Sequence, residues 1–202
     1  MKKQIFFMTG AALFLAAQIV LPQGTPDPAA RLAEMQQNPG TWQLGHGLIL
    51  LAVPLITLGI VRLQELGRLV RPWTATTGLV LVLFGLMSET AITALQMLSA
   101  GIAGSLDEAA AVQALSAGMG AREVRIWIFM PFLLLLPGSL LLALPLLRVK
   151  GYRNLAAGIA LFGVLIVIGG FMQSKWAFVG AAGVLTYVLW LIPTEKPVIP
   201  VG

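Results

Sequence analysis

The sequence predicts an all-α membrane protein: a bundle of six transmembrane helices with two short interfacial helices on the external side. Of its 202 residues, 58% are hydrophobic and only 10% charged, far from the usage of soluble domains. Six apolar segments with short connections can be laid along the chain, each close to the roughly 20 residues that cross about 30 Å of hydrocarbon. The basic residues flank those segments instead of forming a run, so the net charge of +5 points to anionic lipid as the counterpart and not to nucleic acid. The whole chain, 1–202, reads as a single integral-membrane domain. With no cysteine, disulfides, thiolate metal sites and cysteine nucleophiles are excluded.

Taken in order, Lys2 and Lys3 precede a first span at 5–21. Its uncharged run exceeds a typical signal-peptide core of about 7–15 residues, and its end, QIVLPQG, offers no small-residue cleavage site, so it is expected to stay as a helix. A polar stretch follows. In it Asp27 caps free N–H groups and Pro28 takes the first position of a surface helix at 28–37, which Asn38-Pro39-Gly40 ends.

The second span, 42–61, carries Gly45-His46-Gly47 near its start and Pro54 near its middle, where a kink and a freed carbonyl at Leu50 are expected on the face of His46. A basic connection, RLQELGRLVRPW, leads to the third span, 74–98. Gly78, Gly85, Glu89, Thr93 and Gln96 recur there at intervals of seven, four and three, which gathers them on one inward side. Small residues allow close helix approach, and Glu, Thr and Gln supply hydrogen bonds between helices.

Ser105-Leu106-Asp107-Glu108 has the form of a capping box and opens a second surface helix at 106–117, ended by Gly118 and Gly120. The fourth span, 126–147, holds Pro131, Pro137 and Pro145 around Pro137-Gly138-Ser139, and should be bent or broken at its centre. Such a helix persists only where neighbours, Ser side chains or water satisfy the released carbonyls. The fifth and sixth spans, 155–172 and 176–192, are separated by three residues and form a hairpin whose glycines allow tight contact.

Charge decides orientation. With the amino terminus inside, Lys2, Lys3, Arg62, Arg68, Arg71, Arg148, Lys150, Arg153 and Lys196 are cytoplasmic, while Arg31, Arg122, Arg125 and Lys175 are external, as the positive-inside rule expects. Both termini are then cytoplasmic. Trp42, Trp127 and Trp176 fall at outer ends and Trp73 and Trp190 at inner ends, as an aromatic belt requires.

Asn38-Pro39-Gly40-Thr41-Trp42-Gln43-Leu44-Gly45-His46, running straight into a leucine-rich helix, resembles the start of the second span in uncharacterised bacterial multi-pass membrane proteins of the domain-of-unknown-function kind. The resemblance implies a helical bundle in a bacterial cytoplasmic (inner) membrane. It brings no activity and assigns no residue a role.

Glu89 is the residue that asks for an explanation, because a carboxyl within a span is expensive in hydrocarbon and belongs against protein or water. It lies nine residues from Leu98, about 13 Å along the helix, and His46 lies four residues from Trp42, about 6 Å. In one reading Glu89 and His46 exchange protons or hold a ligand in an outward-facing cavity, with Gln96, Thr93, Ser139 and the kinked fourth span (Pro131, Pro137) around it. In the other, Glu89 bonds to Ser88, Thr90 or a freed carbonyl and locks the helices.

A neutral imidazole between two glycines can ligate a heme or chlorophyll-type macrocycle, so His46 is also a candidate cofactor ligand. A second His is absent, and the clustered ligands of a zinc hydrolase are lacking. No Walker A, dinucleotide or G-x-S-x-G pattern occurs. The leading expectation is therefore a non-enzymatic subunit or binding protein with no cofactor and no metal, holding a lipophilic or weakly basic ligand or a partner membrane subunit. A proton-coupled carrier using Glu89 competes with it, and a heme- or pigment-binding subunit is third.

Overall fold

A computed structural model describes residues 2–22, 27–105, 107–120, 125–172 and 174–193. Arg122 and Lys196, both used in the charge comparison, lie outside those residues. Among them every regular element is helical. They are α1 (Lys2–Val20), α2 (Pro28–Gln37), α3 (Pro39–Arg68), α4 (Pro72–Ser105), α5 (Glu108–Gly120), a π turn (Arg125–Phe129), a 3-10 turn (Met130–Leu134), α6 (Leu135–Leu146), α7 (Arg153–Met172) and α8 (Lys175–Leu191).

Six of these helices close on themselves. α1 packs on α3, α3 on α4, α4 on α6, α6 on α7, α7 on α8, and α8 returns to α1. The ring encloses one apolar core that includes Phe14, Ile56, Leu63, Leu135, Phe162 and Leu185. Three members, α3, α4 as far as Ile102, and α7, are long and apolar enough to cross a membrane. The apolar runs Ile5–Val20, Met130–Leu146 and Lys175–Leu191 are shorter.

α2 and α5 sit together across one end of the ring, α2 against α3, α4 and α5. Leu32, Met35, Trp42 and Ala111 form a second buried cluster there, which ties this lid to the helices beneath it. α2 begins as its sequence predicts: the Asp27 carboxylate accepts from the N–H groups of Ala29 and Ala30 at 3.2 and 3.4 Å. α5 begins differently. Asp107 caps it, accepting from the Ala110 N–H at 2.9 Å, while the backbone of α4 runs on through Ser105.

Both long helices outlast their predicted limits. α3 starts at Pro39 and continues through Arg68, so most of the basic connection is helical, with Arg62 paired to Glu65 at 2.5 Å. The turn shrinks to Leu69–Arg71. At the end of the ring away from the lid, where Gly67 approaches Pro145, the α3–α4 connection carries Arg62, Arg68 and Arg71 and the α6–α7 connection carries Arg148, Lys150 and, at the start of α7, Arg153. Gly151 in that turn has φ of +100°, a conformation a side chain would strain.

The proline expectations are partly corrected. α3 is unbroken through Pro54, which is exposed while His46 is buried; eight residues at 100° each carry Pro54 about 80° away from His46. Pro131 sits in the 3-10 turn, but Pro137 lies in the first turn of α6, where a missing N–H costs no intrahelical bond. The irregular stretch therefore falls at 125–134, nearer the lid than predicted. Its carbonyl at Ile128 accepts from the Ser88 hydroxyl of α4, so a serine does satisfy the bent segment.

α4 and α6 cross where two glycines oppose each other. A Cβ on Gly78 would come 2.8 Å from the Leu142 nitrogen, and one on Gly138 2.8 Å from the Val82 nitrogen. Backbone meets backbone there, and neither side can yield. Of the hairpin glycines, Gly158 receives Val188 and Gly169 receives Phe178, whereas Gly183 faces open space.

Candidate functional site

At the lid end the ring does not close over its axis. A cavity of about 350 Å³ opens there, with walls drawn from α1, α2, α3, α4, the 129–133 segment, α7 and α8. Its polar surface comes from Gln18, Arg31, His46, Glu89, Gln96 and Lys175, and its apolar surface is dominated by Phe129, Phe132, Phe171 and Phe178.

Three of the sequence candidates therefore meet in one place. His46 comes from the second turn of α3, and Glu89 and Gln96 from one face of α4, two turns apart. α3 and α4 are direct neighbours, which brings His46 against Gln96. Thr93 and Ser139 are buried but stand outside the cavity wall; Ser139 packs against Gly163 of α7.

His46 is held on every side. Its Nδ1–H donates to the Trp42 carbonyl at 2.7 Å, and its ring stacks on the Trp42 indole with centroids 4.9 Å apart. Nε2 meets the side-chain oxygen of Gln96. A carbonyl only accepts, so this arrangement suits a ring protonated at both nitrogens. With the amide turned over, an N–H of Gln96 reaches a neutral Nε2. The amide can thus serve either charge state.

No position on His46 is left for a macrocycle. Both nitrogens are engaged, Trp42 covers one face, and the notch at Gly45 is filled by Leu21, whose carbons lie 2.5 Å from where a Cβ would be. Heme or chlorophyll ligation does not fit these residues. Nor is there a group of three His, Cys, Asp or Glu among the described residues that could hold a metal ion.

Glu89 is placed otherwise. Ser88 donates to Ile128 and Thr90 donates back to Leu86, so neither neighbour expected to hold the carboxyl does so. Among the described residues no donor or cation pairs with it. It borders the cavity above and, below, a void of about 20 Å³ whose other walls are apolar, among them Phe14, Ile56, Leu86 and Phe162. Glu89 is the one polar side chain on its wall. The carboxyl marks the floor of the cavity and the beginning of an apolar plug.

Two cations that sequence reasoning did not join to the site stand at the rim. Arg31 projects from α2, and Lys175, which donates to the Ile19 carbonyl at 2.8 Å, from the start of α8. Burial pulls the Arg31 guanidinium below its ordinary value, with Glu34 opposing. The same effect raises the Glu34 carboxyl, against the pull of Arg31 and Lys175. Trp42 is a further surprise. It is 5% exposed, buried between lid and cavity instead of lying in an aromatic belt, and its indole N–H has no acceptor among the described residues. Comparison with family models, curated proteins and solved structures gave no match.

Proposed function

We propose that this chain is a small six-span protein of a bacterial cytoplasmic membrane, with both termini in the cytoplasm, acting as a non-enzymatic binding protein or subunit. Its lid-end cavity faces outward and takes a lipophilic ligand whose basic or N–H-bearing group meets Glu89. The observation that carries this is an acid at the floor of an aromatic-walled cavity with no partner among the described residues. A carboxyl so placed is stabilised by a donor brought in from outside.

Six spans are supported by the closed ring. The three shorter helices lie shoulder to shoulder with α3, α4 and α7, and 16 or 17 apolar residues sit near the lower limit for a span. Orientation is supported by the two arginine-rich turns at the end away from the lid. A subunit role remains part of the proposal, because exposed Leu44, Leu51 and Leu58 on α3 form a stripe suited to lipid or a partner helix.

A second reading, a proton-coupled carrier titrating at Glu89, is favoured by one fact: the carboxyl borders both the cavity and the void beneath it. It requires the apolar plug to open. The binding reading needs no such movement.

The experiment is a titration of detergent-purified protein with a fluorescent long-chain amine. Binding should saturate at one site, and Glu89→Gln should weaken it by about tenfold or more, as loss of a charged hydrogen bond worth about 1.5–3 kcal/mol implies. Equal binding by both proteins contradicts the reading. Transport of protons with the amine in vesicles, abolished by the same substitution, would favour the carrier.

A further inference from the structure

We propose that the cavity holds the headgroup of an aminophospholipid taken sideways from the adjoining leaflet, its ammonium on Glu89 and its phosphate at Arg31 and Lys175. This rests on the binding reading and names its ligand.

The cavity is electrically two-ended. One wall brings an acid from α4, and the rim brings two cations from α2 and α8. A simple amine answers Glu89 alone, and a simple anion answers Arg31 and Lys175 alone. A zwitterion satisfies both walls at once. Glu34 lies close enough to both rim cations to feel their charge, so the rim carries one acid beside its two cations.

Two further features match a phosphoethanolamine group. Trp42 contributes an aromatic face to the cavity wall, and among the described residues its buried indole N–H has no acceptor. Phe129, Phe132, Phe171 and Phe178 supply ring faces, which attract an ammonium. The volume, about 350 Å³, is at the small end of ligand pockets. It suits a headgroup better than a pair of acyl chains.

Apolar side chains that line the cavity also reach the outer surface. Met130 and Phe171 line the cavity and are also 57% and 72% exposed on the outer surface. Met130 belongs to the irregular 125–134 segment and Phe171 to the end of α7, two elements that touch where Phe132 packs against Gly170. Exposed Ile126 and Met172 continue the apolar surface beside it. In the proposed arrangement the headgroup sits inside while the tails lie along this exposed apolar surface.

The full chain in mild detergent, titrated separately with phosphatidylethanolamine, phosphatidylglycerol and free phosphoethanolamine, tests this by native mass spectrometry. Phosphatidylethanolamine should bind at least tenfold more tightly than either of the others. Glu89→Gln should remove its advantage over phosphatidylglycerol, and Lys175→Gln should lower its occupancy at least fivefold; the latter also serves if the former does not fold.

Equal binding of the two lipids by the wild type overturns the proposal, as does a preference that survives Glu89→Gln, or occupancy unchanged by Lys175→Gln. Free phosphoethanolamine binding as well as the lipid overturns the membrane source. If the long-chain amine binds through Glu89 while phosphatidylethanolamine does not, the headgroup assignment falls and the binding reading stands. If neither binds, both fall.

Discussion

The imidazole of His46 on α3 and the side-chain amide of Gln96 on α4 share a hydrogen bond across the helix pair that forms one side of the cavity. It joins residues fifty positions apart and is shielded, with His46 only 2% exposed. Gln96→Leu leaves a buried ring nitrogen unpaired and should cost about 1–3 kcal/mol. His46→Phe combined with it should cost less than the sum of the single changes. Thermal unfolding of the four proteins in one detergent checks this, and additive losses would show that the two side chains do not interact.

The Gly78–Gly138 crossing sets how closely α4 and α6 approach. Gly138→Ala places a methyl against the Val82 backbone, where relief requires moving a whole helix, so a loss of about 1–3 kcal/mol is expected. Gly183→Ala is the control. Open space surrounds it, and alanine's better helix propensity should leave stability unchanged or raise it by up to about 1 kcal/mol. A reversed order of the two in a melting series contradicts the packing.

Ser88 ties α4 to the irregular segment by donating to the Ile128 carbonyl. Ser88→Ala removes the hydroxyl and leaves that carbonyl without it, at about 1–3 kcal/mol. Because Phe129 and Met130 follow directly and line the cavity, the long-chain amine should also bind more weakly. Ser88→Thr, which keeps the hydroxyl, should retain more of both than alanine does. Unchanged melting and binding in the alanine protein would separate this bond from the cavity.

Part of the site was legible because helical spacing is local. Glu89 and Gln96 are seven apart, so any helix through them puts both on one face, and a lone carboxyl in an apolar span stands out. The stack of Trp42 on His46 was available from the same rule, four residues apart, but interfacial tryptophan was the commoner reading. Arg31, Lys175 and the four phenylalanines arrive from separate elements, and nothing in local sequence brings them together. Helix limits were misjudged for a physical reason: α3 and α4 extend past the apolar run, where charge does not stop a helix whose backbone is already bonded. Proline misled because its effect depends on position. In the first turn of α6 Pro137 costs little, while the bend belongs to the turns that precede it.

The central claim, that Glu89 is the floor of a cavity reached from the external side, can be probed directly because the chain has no cysteine. Glu89→Cys in sealed vesicles of known orientation should react with a membrane-impermeant cationic thiol reagent added on the lid side, and bound long-chain amine should slow that reaction. Labelling only from the opposite side, or none in a folded protein, would contradict it.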